Sequence, residues 1–203
     1  MSRRLACAVA ATVTLGAAAG TTLAGTAGTA STTAGPLPGL MVGKAPWPPN
    51  NGLFLKARLR ALGLPALSAE GVVQHSHEHL DVLVNGRLVL TPAGIGIDSA
   101  GQFIAELHTH DGSGIIHIES PKMQAFTLGQ FFGVWGLRFT PTCLGGYCAS
   151  GARRIWVWVN GRRFTGDPRT IVLRAHQEIV VGYGTFRLIP KPIPASFPFP
   201  AGL

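Results

Sequence analysis

The sequence predicts a mainly β protein: an antiparallel β sandwich or barrel carrying two short helices. Three observations predict it. Short segments alternate apolar and polar residues, the period of a half-buried strand. Turn signals separate them at close spacing, among them Asn85-Gly86 and Asn160-Gly161, the dipeptide favoured in type I′ hairpins. Helical spacing of apolar residues is confined to two stretches, residues 52–63 and 127–136.

Residues 1–30 read as a secretory signal. Arg3 and Arg4 form a charged start, residues 5–19 an apolar run, and Ala24, Ala27 and Ala30 end small-residue cleavage sites. Residues 31–51, rich in Gly, Pro and Thr, read as a flexible arm. Residues 52–189 are then a single β-rich domain, and residues 190–203 a proline-rich extended tail without a core of its own. Nothing after the signal is long and apolar enough to span a bilayer, which takes about 20 residues. The mature chain is therefore expected in the cell envelope or the medium. Its formal charge is +8, of which Arg3 and Arg4 supply two. The remaining Lys and Arg are scattered, with Arg153-Arg154 and Arg162-Arg163 as pairs, so the sequence argues against nucleic acid and for a solvated basic surface suited to the cell wall or membrane.

Within the domain, Asn51 is placed to cap a helix whose apolar residues run over residues 53–62 and which Gly63 ends. A strand follows from His75 to the Asn85-Gly86 turn and returns through Arg87. The Gly-rich PAGIGID segment leads to a central hairpin that stops near Ser120-Pro121. Thr127 and Gln130 fit a capping box, with Leu128, Phe131, Phe132 and Trp135 as the buried stripe of a short helix ending at Gly136. Cys143 and Cys148, in CLGGYC, predict a loop-closing disulfide in an oxidising compartment, with a thiolate metal site as the alternative. The segment RRIWVWVNGRRF is a hairpin with Trp156 and Trp158 on one face, and residues 170–189 supply one or two more strands.

Six of the seven histidines fall in two short segments. In LHTHDGSGIIHIE, Gly112-Ser113 favours a two-residue type II′ turn. That register sets His108 opposite His117 and Leu107 opposite Ile118. One face then carries Glu106, His108, His110, His117 and Glu119, and the other carries Phe103, Leu107, Thr109, Ile116 and Ile118 as core. Directly opposed residues lie roughly 4.5–5.5 Å apart, so His108 and His117 can share an ion. In HSHEHLDVLVNG, His75, His77, His79 and Asp81 share one strand face and Leu80, Val82 and Val84 the other. His75 and His79 are about 13 Å apart along such a strand, so all three histidines cannot meet one ion unless it bends. His176, alone in RAHQEIV, reads as structural.

The segments HSHEHLDVLVNG, PAGIGI, LHTHDGSGIIHIESP and TLGQFFGVWG resemble a family of secreted, mostly bacterial proteins that share an HxHxHL triplet, the HTHDxxGxIHIE hairpin and an LGQFF helix. The resemblance covers roughly residues 71–184 and points to His75, His77, His79, His108, His110, Asp111, His117 and Glu119. It implies no cofactor and no reaction.

Neutral imidazole suits Zn, Cu, Ni and Fe, and a histidine set with one carboxylate fits Zn²⁺ or Cu²⁺. The leading expectation is a divalent transition-metal site built from both clusters, with Glu106, Asp111 or Glu119 as a ligand or as a hydrogen-bond partner that holds one. Met41 and Met123 are too few for a methionine-rich Cu⁺ carrier. A binding protein would buffer or deliver the ion through a closed ligand set. An enzyme would keep a position open for water, with Glu119 or Asp111 as acid/base. A metal-free wall-interaction module is the third class, and its sugar platform would need Trp156 and Trp158 exposed. A metal-free surface of hydrogen-bonded histidines is the plain alternative. No phosphate loop and no Gly-x-Ser-x-Gly motif is present.

Overall fold

A computed structural model describes residues 36–203; the expected signal at residues 1–30 lies outside them. Helix α1 spans Leu55–Leu62, and β1 is Ala66–Leu67. The long strand β2, Gln74–Val84, turns into β3, Arg87–Val89, and is followed by β4, Ile97–Asp98, and β5, Phe103–Ala105. The histidine hairpin is β6, Leu107–His108, with β7, Ile115–Ser120. Helix α2, Leu128–Trp135, precedes the small hairpin β8, Cys143–Leu144, and β9, Tyr147–Cys148. The last strands are β10, Arg154–Val159, β11, Arg162–Phe164, and β12, Glu178–Gly184.

The main sheet runs β11-β10-β12-β2-β7-β6, with β3 also on β2, and a smaller sheet runs β1-β5-β4. The architecture is mainly β and sandwich-like, not a closed barrel. It departs from a purely antiparallel sheet at one place: β12 pairs parallel with β2, from Glu178 beside His79 to Tyr183 beside Val84. The partner on the other edge of β2 changes along its length. Residues 74–79 pair with β7, and residues 82–84 pair with β3.

Alternation decides what each face of the sheet meets. Leu80, Val82, Ile116, Ile118, Leu107, Ile179 and Val181 point into the core. There they meet Leu128, Phe131, Phe132, Val134 and Trp135 of α2. Fully burying side chains of this size contributes roughly 1.5–3 kcal/mol each. The Thr127 hydroxyl accepts from the Gln130 N–H, and the Gln130 side chain accepts from the Thr127 N–H, so the expected capping box forms; Gly136 ends the helix in the left-handed region. Arg58 of α1 is fully buried and donates to the Gly133 and Val134 carbonyls near the C-terminal end of α2, which ties the two helices together.

Asn85 and Gly86 both have positive φ, 49° and 82°, as a type I′ turn requires, and Asn160 and Gly161 repeat this at 49° and 73°. Cys143 and Cys148 form the expected disulfide across β8 and β9. Asn51 does not cap α1: Phe54 occupies that position, and the Asn51 amide bonds the Gly94 and Ile97 carbonyls and the Gly96 N–H. The described part of the expected flexible arm, residues 36–51, packs into the domain. Trp47 is 2% exposed against the edge of Trp135, and Met41 bridges Leu137. A large aromatic ring there outweighs the Gly and Pro content that reads as linker.

The tail also has a place. Ile193 packs against the cluster of Trp158, Val180 and Ile189, and Phe197 and Phe199 stack on His79 and His176. It therefore lies over the face of the sheet opposite α2.

Candidate metal centre

The site is built where β2, β7 and β6 lie side by side. His77 pairs with His117, His75 with Glu119, and His117 with His108. Because all of these face away from the core, three adjacent strands place their imidazoles on one patch. The register of β6 and β7 is the one the sequence predicts, yet the turn is not. Gly112 lacks the positive φ that a type II′ turn needs there, and the left-handed residue is Gly114 at φ 93°. A Cβ on Gly114 would lie 2.8 Å from the Leu80 carbonyl oxygen and 2.9 Å from His79 Nε2, so the position needs glycine on both counts. Past His108 the chain leaves β7 to bond residues 92–95: Thr109 N–H donates to the Ile95 carbonyl, and the Thr109 hydroxyl donates to that of Pro92.

Two histidine pairs converge on Glu119. His75 Nε2 and His77 Nε2 lie 3.1 Å apart, as do His108 Nε2 and His110 Nε2. Glu119 Oε1 is 3.3 Å from His75 Nε2 and 3.5 Å from His117 Nδ1, and Oε2 is 3.8 Å from His108 Nε2. His75, His77, His117 and Glu119 bring one donor atom each within 4.8 Å of one another, and so do His108, His110, His117 and Glu119. His117 Nδ1 and Glu119 Oε2 are buried without a hydrogen-bond partner. His108 is fully buried, and its Nδ1–H donates to the Ala105 carbonyl at 3.0 Å. That bond fixes the tautomer and turns the Nε2 lone pair toward the site.

Electrostatics favour a neutral, cation-ready set. Burial first, then neighbouring histidines, pushes His117 down to about 3. Burial takes His108 down to about 4 against its bond to Ala105, and lowers His77 as well. Burial and the nearby Glu70 raise Glu119 to about 7. Glu70 also lies 3.5 Å from His110 Nε2. Sequence reading missed Glu70, which sits in an irregular connection with no periodicity to mark it.

Three predicted members stand apart. His79 turns to Glu178, 2.7 Å from its Nδ1, and to the Ser113 carbonyl, 2.9 Å from its Nε2. Both partners only accept, so both ring nitrogens carry protons, as an imidazolium does. Burial alone would lower His79, but the Glu178 carboxylate, the Ser113 carbonyl and Asp81 together outweigh it and the net shift is upward. His79, Asp81 and Glu178 also lie close enough to form a third group of possible ligands, though both His79 nitrogens are already engaged. Asp111 accepts from the Ser113 N–H and holds the turn, which lowers its pKa. Glu106 is buried on the other side of the sheet, accepting from the Ser120 hydroxyl and the Gln124 amide. His176 is structural: Nε2 lies 3.1 Å from the Leu203 carbonyl oxygen. The Trp platform does not form either. Trp158 is buried under Ile189, and the Trp156 indole N–H donates to the Gly184 carbonyl.

No helix among the described residues is long and apolar enough to cross a membrane. No family model matches the chain, and neither a curated protein nor a solved structure matches it.

Proposed function

We propose that the chain is an exported protein that binds a divalent transition ion, Zn²⁺ or Cu²⁺, through its converging histidines, and buffers or delivers that ion outside the cytoplasm. The observation that carries the reading is the convergence itself: five imidazoles around one buried carboxylate, with a ring nitrogen and a carboxylate oxygen left unpaired. Leaving a buried polar atom unpaired costs about 1–3 kcal/mol, and a bound cation would relieve both. Protons compete poorly for His77, His108 and His117, since burial already holds them neutral. A single ion on either group meets three imidazoles and one carboxylate, the size of a closed tetrahedral set, which supports binding. Glu119 counted as a ligand is no longer a free general base. Export rests on residues 1–30, and the Cys143–Cys148 disulfide is compatible with it. The motif resemblance belongs to the same proposal: the chain joins those secreted proteins, and the histidine patch is what they share.

The test is elemental analysis of the mature chain, purified without an added tag, with calorimetric titration by Zn²⁺ and Cu²⁺. Bound metal, or affinity of roughly 1 μM or tighter, is expected. A chain that carries no metal and takes up neither ion overturns the reading.

A further inference from the structure

The six side chains do not gather at one point. They form two groups that share His117 and Glu119, with His75 and His77 exclusive to one and His108 and His110 to the other. Within each exclusive pair the Nε2 atoms are 3.1 Å apart. Two nitrogens held by one zinc at 2.0–2.1 Å in a tetrahedron are about 3.3 Å apart, so each pair already has the spacing of neighbouring ligands. Between the pairs stands Glu119, 8% exposed by its side chain. Its Oε1 lies toward His75 and its Oε2 toward His108, and Oε2 has no hydrogen-bond partner.

Resting on the metal-binding reading above, we infer that the centre takes two divalent ions, one on His75 and His77 and one on His108 and His110, with the Glu119 carboxylate bridging them. A carboxylate places one oxygen on each of two ions, and two-metal sites hold their ions about 3.5–4 Å apart. His117 completes one of the two sets, which leaves the other ion with a position for solvent. The two ions are therefore unequal: one held by four protein donors, the other by three and open to exchange. His75 and His110 are the solvent-facing members, 54% and 43% exposed by side chain. Ions thus enter and leave past these two rings, at opposite ends of the patch. For a buffering or delivery protein, the three-donor ion is the one handed on.

The experiment uses the full mature chain, untagged, saturated with Zn²⁺ and then with Cu²⁺. Wild type is expected to hold two ions per chain, with a spin-coupled electron paramagnetic resonance signal in the doubly loaded Cu²⁺ form. His75→Ala and His110→Ala each remove a half-exposed ring that lies outside the hydrophobic core, so both variants are expected to fold. Each removes a donor from one ion only, so the ion beside the missing ring should bind roughly tenfold or more weaker while the other keeps its affinity, giving an isolated Cu²⁺ signal at one equivalent. One ion per chain in wild type and in both variants overturns the paired centre while leaving the metal-binding reading in place. Two ions without spin coupling overturn the Glu119 bridge. No ion at all overturns both readings.

Discussion

His108 and His117 face each other across β6 and β7, their rings stacked with centroids 5.4 Å apart. His117 meets His77 on its other side, ring centroids 4.6 Å apart, so it links the hairpin to the upstream histidine strand. Replacing His108 and His117 together by Ala removes the most buried donor and the shared one. High-affinity binding of Zn²⁺ and Cu²⁺ should be lost, while the far-ultraviolet β signal remains. The buried space left at His108 should cost on the order of 2–3 kcal/mol in denaturant unfolding. His176→Ala should leave binding unchanged, because that ring bonds the Leu203 carbonyl instead. Full metal occupancy in the double variant would exclude the hairpin as the site.

Much of this is legible in the sequence alone. A period of two puts His75 and His77 on one face and Leu80 and Val82 on the other, and the hairpin register follows from where the apolar residues must go. The turn type was not legible, since Gly112-Ser113 and Gly114 all offer flexible positions and packing against His79 selects Gly114. The fate of His79 was equally hidden. Periodicity gives the face but not what covers it, and both Glu178 and Phe197 come from about a hundred or more residues downstream. The parallel pairing of β12 with β2 is the cause, because it sets Glu178 beside His79.

Glu119 carries a second expectation. In the metal-free chain its carboxyl, raised to about 7, holds a proton at pH 6, whereas His108 and His117 do not. Metal binding at pH 6 must displace that proton. Calorimetric titration in buffers of different ionisation enthalpy should therefore report roughly one proton fewer released by Glu119→Gln than by wild type. Equal release from the two proteins would place the displaced proton elsewhere.

Glu78 sits on the core-facing side of β2, fully buried, with the Ser76 hydroxyl its one donor among the described residues and Oε2 without a partner there. Burial raises it from 4.5 to about 7. The folded state thus prefers the protonated acid, so the stability it contributes is full below pH 4.5 and is lost as pH rises toward 7. At about 1.4 kcal/mol per pH unit the loss is on the order of 3 kcal/mol. Glu78→Gln should remove that dependence and stabilise the chain near pH 8, read as a higher denaturant midpoint. An unchanged pH profile would show that Glu78 is solvated or paired.

His79 offers a different control, a histidine of the HxHxHL triplet that lies outside the proposed ligand set. Its two protons go to Glu178 and Ser113, and Phe197 stacks on its ring at 3.7 Å. Removing one partner of a buried ion pair strands the other, at about 3–5 kcal/mol. His79→Ala should therefore destabilise the chain by that order at pH 6 and release the tail, read as faster proteolysis after residue 190, without lowering the metal-to-protein ratio. The sign with pH follows from the raised pKa of His79. Its contribution is full below about 6.5, the unfolded value, and fades as pH climbs through the folded one. The cost of His79→Ala should accordingly be smaller at pH 9 than at pH 6. A cost that grew with pH would mean the ring is neutral in the folded chain. A fall in bound metal would return His79 to the ligand set.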